Sequence, residues 1–250
     1  IEVVYRWDAA QSYSSLSEVQ LVPVEFDAVQ PMMAALRDVW FKPYIQATGN
    51  SLDFLKEVAP KKIVLVGSPE YQNGSFKLGQ AEGGRKILLL NVNNFDASNE
   101  NELKEALHTI VHEFTHILHQ TKLFNQEYQT ISTGRYNSNW TLLNDSEARH
   151  QGFITNYAML NKDEDFAEMV SGILVFGYEW FKDTVLAEAA KSTENPHAKA
   201  DLEAKLAIVN SYFKETWNIE FFDNETSGEP GLESYFRMAI EEVVSNPPTK

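Results

Sequence analysis

The chain has 250 residues, 43% of them hydrophobic, with a formal net charge of −15 and no cysteine. That length and apolar content suit one large domain with a sizeable core. The negative charge repels phosphate backbones and argues against a nucleic-acid partner, while the missing cysteines exclude disulfides, thiolate metal sites and thiol nucleophiles.

Taken in chain order, "VVYRW" near the start reads as a strand. "PMMAALRDVW", residues 31–40, reads as a helix opened by Pro31, with Pro43 set to interrupt it. "SLDFLKEVAP" is a second short helix, capped by Asn50 or Ser51 and closed by Pro60. "KKIVLVGS" (61–68) is a strand, and "RKILLLNVNNF" (85–95) is another, entered through a turn at Gly83 and Gly84. From about residue 101 the character changes. "NELKEALHTIVHEFTHILHQ" is one long amphipathic helix, and the polar stretch 121–145 reads mostly as loop. "DSEARHQGF" is a short helix capped by Asp145 or Ser146, and "DEDFAEMVSGILVFGYEWF" is a strong one. Two more helices fall around 196–217 and 231–244. No apolar run is long enough to span a membrane, and no repeat or linker breaks the chain. The expectation is an α+β fold over residues 1–250 in two lobes. An α/β part with a small mixed sheet runs to about 120, and a mainly helical part follows from about 121.

The long helix carries "HEFTHILHQ". At 100° per residue, His112, His116 and His119 share one stripe, with His108 on its extension. Leu103, Leu107, Ile110, Phe114 and Leu118 form the opposite, apolar face. Four of the six histidines in the chain therefore sit in twelve residues, where an ordinary solvated face would carry Lys and Glu. The pattern His-Glu-x-x-His aims two imidazoles, His112 and His116, at one tetrahedral ion and sets Glu113 beside its open position as a general base. The expected cofactor is one zinc per chain. Three histidines along one stripe project over about 10 Å and cannot all wrap one ion. His119 then becomes a wall or a hydrogen-bonding partner of a ligand, and His108 a helix-surface or packing residue. His150 and His197 read as surface residues.

A third ligand must come from another element. In "NYAMLNKDEDFAEMV" (156–170), Glu164 and Glu168 stand one helical turn apart on one face that continues through Ser171, Gly172 and Val175. Phe166, Met169, Val170 and Ile173 lie opposite. Glu164 would bind the ion, and Glu168 would accept the free N–H of a ligand histidine and fix its tautomer. The same acids, with Asp163 and Asp165 beside them, would equally suit a solvated helix start favoured by the dipole. Spacing alone leaves both readings open.

"HEFTH" followed by "NYAMLNKDEDFAEMV" resembles the gluzincin metallopeptidases, and its local pattern is similar to the catalytic domain of anthrax lethal factor over about 105–175. The arrangement, including the trailing "HILHQ", also resembles the zinc-binding metallopeptidases of Bacteroidetes known as substrate import-associated zinc metallohydrolase lipoproteins, along most of the chain. This resemblance implies a zincin-like fold with Glu164 as third zinc ligand, Glu168 as the acid behind a ligand and Tyr157 as the group steadying the oxyanion. Tyr136, in "GRYNSNW", is a rival for that last role. The resemblance further implies an exported protein, lipid-anchored at the outer membrane and facing the periplasm or the cell surface, near components of a nutrient importer. The chain begins at Ile1 and holds no lipid-bearing cysteine, so an anchor would belong to a segment removed upstream.

Together these point to a monomeric zinc peptidase acting on peptides or proteins, glycosylated ones included. In zincins an edge strand pairs with the extended substrate, and here "KILLLNV" (86–92), just before the motif helix, is the candidate, with residues 88–92 supplying the main-chain bonds. Two rivals share the residues: an accessory binding protein that keeps zinc structurally, and an amidohydrolase acting on a non-peptide bond. Glu113 favours catalysis over the first, because a structural zinc has no use for that acid.

Overall fold

The computed structural model describes residues 1–6, 21–72, 75–77, 79–82 and 86–248, with only the backbone described over 70–82. Among them are the strands β1 (Glu2–Val4), β2 (Lys62–Leu65), β3 (Glu70–Gln72), β4 (Ser75–Lys77), β5 (Gly79–Glu82) and β6 (Lys86–Leu89). The main sheet has the order β1-β2-β6-β5. β1, β2 and β6 are parallel, and β5 runs antiparallel to β6. β3 and β4 form a separate antiparallel pair. The apolar runs of β2 and β6 suit strands covered on both faces. Ile63, Leu65, Ile87 and Leu89 enter the main core, while Val64, Val66, Leu88 and Leu90 build a smaller cluster on the other face.

This topology corrects the expectation that residues 86–92 form an edge strand. The segment 79–82, too polar and glycine-rich to read as a strand, is the last strand of that sheet among the described residues. β6 is therefore an interior strand. Leu88 pairs with Val64 on one side and Gln80 on the other, and the Leu89 carbonyl, Asn91 N–H and Val92 N–H bond to residues 66–68. Residues 88–92 thus have little main chain to offer a substrate. The turn expected at Gly83 and Gly84, and Trp7 at the end of the first expected strand, lie outside the described residues.

The helix expected from Pro31 begins earlier. α1 (Phe26–Leu36) holds Pro31 inside it and passes through a wider π-type turn, Arg37–Phe41, into α2 (Lys42–Ala47). Pro43 is accommodated just after that wide turn, where the bonding register has already shifted. Burial outweighs propensity here: Ala28, Met32, Ala35, Leu36, Val39 and Trp40 all enter the core. α3 (Asp53–Val58) follows, with the Ser51 hydroxyl accepting from the Asp53 N–H.

α4 (Glu100–Thr121) is the motif helix. Asn99 caps it by accepting from the N–H groups of Asn101 and Glu102, and two acids lie in its first turn. Its expected apolar face is fully buried. Phe114 meets Trp40 and Tyr44 edge-on at 5.3 and 5.2 Å. The stretch 121–145 contains α5 (Glu127–Ile131), too short to announce itself by periodicity. α6 (Asp145–His150) is capped by Asn144 in a reciprocal box with Glu147, one residue ahead of the expected Asp145 or Ser146.

α7 (Lys162–Phe176) is capped by Asn161, whose side chain accepts from the N–H groups of Asp163 and Glu164, and it stops at Gly177, φ 91°. From Asp165 to Val175 it is buried all round, Asp165 and Glu168 included, and Glu164 is nearly so, while Asp163 stays half-exposed; the paired Glu164 and Glu168 are not a solvated helix start. Ser171 faces α4, as the small-residue face suggests, but Gly172 faces Ile154 and Trp180, where an added Cβ would stand 2.9 Å from Ile154. A helical run through Tyr178–Trp180, Phe181–Leu186 and Ala187–Ala189 leads to α8 (Ala198–Ser211), and α9 (Leu232–Ser245) closes the chain. α4 and α7 pack directly against each other, and the site lies along that contact. Among the described residues, no helix is long and apolar enough to cross a membrane.

Candidate metal centre

His112 and His116, one turn apart on α4, meet Glu164 from the first turn of α7. Glu164 Oε2 lies 3.0 Å from His112 Nε2 and 3.1 Å from His116 Nε2, and the two nitrogens are 3.1 Å apart. Four ligands at about 2.0–2.1 Å in a tetrahedron sit roughly 3.3 Å from one another, so the triangle is nearly of zinc size.

What stands behind each histidine fixes which lone pairs face the triangle. His112 Nδ1 lies 2.7 Å from Glu168 Oε1, and Thr155 donates to Glu168 Oε2 at 2.6 Å. Glu168 can only accept there, so Nδ1 carries the proton. His116 Nδ1 lies 2.9 Å from His119 Nε2. Burial, with the neighbouring His116, pushes His119 down to about 4 and keeps it neutral. We assign His119 as the acceptor and His116 Nδ1–H as the donor. His119 is thus on the far side of His116 from the triangle.

With both Nδ1 positions committed, two Nε2 atoms and a carboxylate oxygen point at one another. In the metal-free protein a proton eases this. Burial works against charge on His112, yet hydrogen bonds to Glu164 and Glu168 carry it up to about 10. Burial likewise opposes charge on Glu164, while its contacts with His112 and His116 hold it well below the usual carboxylate range. Two imidazoles and a carboxylate, all buried or nearly so, are a donor set that suits zinc.

The remaining expected residues fall as follows. Glu113, half-buried on α4, is close enough for its charge to act on both His112 and Tyr157. Tyr157 packs its ring 5.6 Å from that of His112 and lies close enough to Glu164 for that carboxylate to act on its phenol. Burial, then the charge of Glu164, raises its phenol well above the usual value, so it stays a donor. Tyr136 instead donates to Asp165 Oδ2 at 3.1 Å, away from the triangle. His108 lies 3.1 Å from Ser171 Oγ and 3.6 Å from Glu168 Oε1. Asp163 pairs with Lys162 at 2.8 Å. His150 is partly exposed and His197 is exposed, both away from the triangle.

Three contributors were missed in the sequence, and two of them carried no signal strong enough to find them. Thr155 clamps Glu168 from a loop. Trp140 packs edge-on against Tyr157 at 4.9 Å from a short 3₁₀ turn. Asn161 was legible in hindsight, as an Asn immediately before an acidic helix start.

A family model described as "Putative zinc-binding metallo-peptidase" matches residues 1–222. The chain belongs to this family. A solved structure described as that of "a putative zinc-binding metallo-peptidase from Bacteroides caccae" is similar, with a TM-score of 0.75 at 30% identity. The likeness covers 98% of this chain and 87% of that one. No curated protein matches the chain. The family description and the triangle agree on the metal, and the His112, His116 and Glu164 cluster is the group of possible ligands found among the described residues.

Proposed function

We propose that the protein is a zinc-dependent peptidase with one zinc held by His112, His116 and Glu164. The observation that carries the reading is the triangle of inward-facing acceptors, with Glu113 beside it. Bound zinc would supply a Lewis-acidic centre that acidifies a water and polarises a carbonyl. Glu113 takes the proton from that water and returns it to the departing amine. Tyr157 donates its phenolic hydrogen bond to the carbonyl oxygen as negative charge develops there. Glu168 and His119 orient His112 and His116 from behind. An extended peptide can add to the sheet edge at β5, whose partner on one side is β6 and which lies against α4.

The same reading extends to an exported, lipid-anchored protein that works beside a nutrient importer at the outer membrane, on the strength of the resemblance read from the sequence. The test of the enzymatic core is incubation of the purified protein with a proteome-derived peptide mixture, with and without added zinc or chelator, read by mass spectrometry. Zinc-dependent cleavage that disappears in Glu113→Gln supports the peptidase. Zinc-loaded protein that cleaves no peptide would favour the accessory-binding or non-peptide reading.

A further inference from the structure

Glu164 has a neighbour that faces the other way. Asp165 follows it in the first turn of α7, about 100° further round the helix. It is fully buried, and its Oδ2 lies 2.7 Å from Lys205 Nζ on α8, itself fully buried. Tyr136 donates to the same oxygen at 3.1 Å, and Tyr128 donates to the Asp165 backbone carbonyl at 3.0 Å. Lys205 Nζ also donates to the Gly152 carbonyl at 2.8 Å and stands 4.1 Å from the Phe153 ring centre. Gly152 begins the loop that carries Thr155, the residue clamping Glu168. One ammonium therefore ties together the two backbone segments that set Glu164 and the partner of His112.

A buried ion pair is a weak device for stability, since well-packed apolar residues often do as well, but it is well attested as a way to fix register. Register matters here. A carboxylate lies about 5–6 Å from its helix axis, so a twist of about 10° in the first turn moves it by about 1 Å. Metal ligands tolerate only a few tenths of an ångström.

We propose that Lys205 is a positioning residue for the metal centre, acting through Asp165 and the Gly152 carbonyl from the side of α7 away from the ion. This rests on the reading that His112, His116 and Glu164 bind zinc. Lys205 touches neither metal nor substrate. Its influence is on where Glu164 and Glu168 stand.

The test compares wild type, Glu164→Ala, the double variant Lys205→Met with Asp165→Asn, the milder Tyr136→Phe, and Val64→Ala as a core control on the other sheet face. Each is measured for zinc affinity by chelator competition, for the visible spectrum of the cobalt-loaded protein, and for apo melting temperature. The double variant removes both charges together, so no lone charge is left buried. The expected result is a loss of zinc affinity of about tenfold or more in the double variant, with a shifted cobalt spectrum. Tyr136→Phe should move both readouts the same way by a smaller factor. Val64→Ala should lower the melting temperature and leave both unchanged. Wild-type affinity and spectrum in the double variant would overturn the proposal. If the double variant does not fold, the same result in Tyr136→Phe overturns it. A wild type that binds no zinc, or Glu164→Ala that binds it as tightly, would overturn the reading of the metal site itself and the proposal with it.

Discussion

Two buried polar clusters meet on the first turn of α7, and they are built on opposite rules. Around Asp165 every charge has its complement: an ammonium, two phenols and a carbonyl close the valences, with the Asp165 and Lys205 side chains at 0% exposure. Around Glu164 the atoms that face inward are all acceptors, brought within 3.1 Å of one another. The first cluster is satisfied by the chain itself. The second needs something the chain does not supply. Buried polarity marks a binding centre when it is left incomplete in a shared direction, and a structural one when it closes on itself.

The contrast can be broken or sharpened by experiment. The largest effect expected is on turnover: Glu113→Gln should keep zinc and fold while peptide hydrolysis falls by about a thousandfold, checked by metal analysis and cleavage rate on one preparation. Retained turnover would remove Glu113 from the chemistry. Next comes stability. Lys205→Met strands the Asp165 charge and should cost about 3–5 kcal/mol in the metal-free protein, by urea unfolding. His116→Ala should leave metal-free stability far less changed, because its Nε2 only adds an acceptor to the triangle, yet it and Glu164→Ala should both abolish zinc binding by mass spectrometry. If His116→Ala destabilised the apo protein as much as Lys205→Met does, the distinction drawn above would fail.

A smaller effect separates the two histidines. His119→Phe removes the acceptor behind His116 and should weaken zinc by about tenfold, by chelator competition. An unchanged affinity would make His119 a packing residue only. The last is the pH dependence of the apo protein. His112, carried from 6.5 to about 10, adds stability that is full below 6.5 and lost as pH rises through 10. Glu164 and Glu168, held below 4.5, add stability present above 4.5 and lost as pH falls through their folded values. The apo melting temperature should therefore peak between 4.5 and 6.5. Zinc must displace the His112 proton, so the loaded protein should lack the alkaline decline.

The centre was unevenly legible in the sequence. His112, Glu113 and His116 could be read because a single helix supplies them at fixed spacing. Glu164 and Glu168 could be paired because they too share one helix face. The tie between Glu168 and Thr155 could not, since a loop fixes that geometry and loops have no period. The Lys205 contact to Asp165 was hidden for a related reason: a lysine in a helix reads as solvent-facing until its neighbours are known. In the fold, the errors came where packing overrode local preference. Pro31 sits inside α1 because the residues around it bury well, and β6 became interior because a polar segment, 79–82, took the edge. The apolar face of α4 was read correctly because periodicity and burial agree along all of it.

The donors of the triangle also lie far apart along the chain, with His116 and Glu164 separated by 48 positions. An ion seated there is a cross-link between distant segments, closing a loop that includes α5, α6 and the Thr155 turn. At a free zinc concentration about a thousand times its dissociation constant, such a link adds about 4 kcal/mol to the folded state. The lifetime of this protein among other proteases would then track the zinc supply of its surroundings. Starved of metal, it would become a substrate itself, opened first in the span that the ion had held shut.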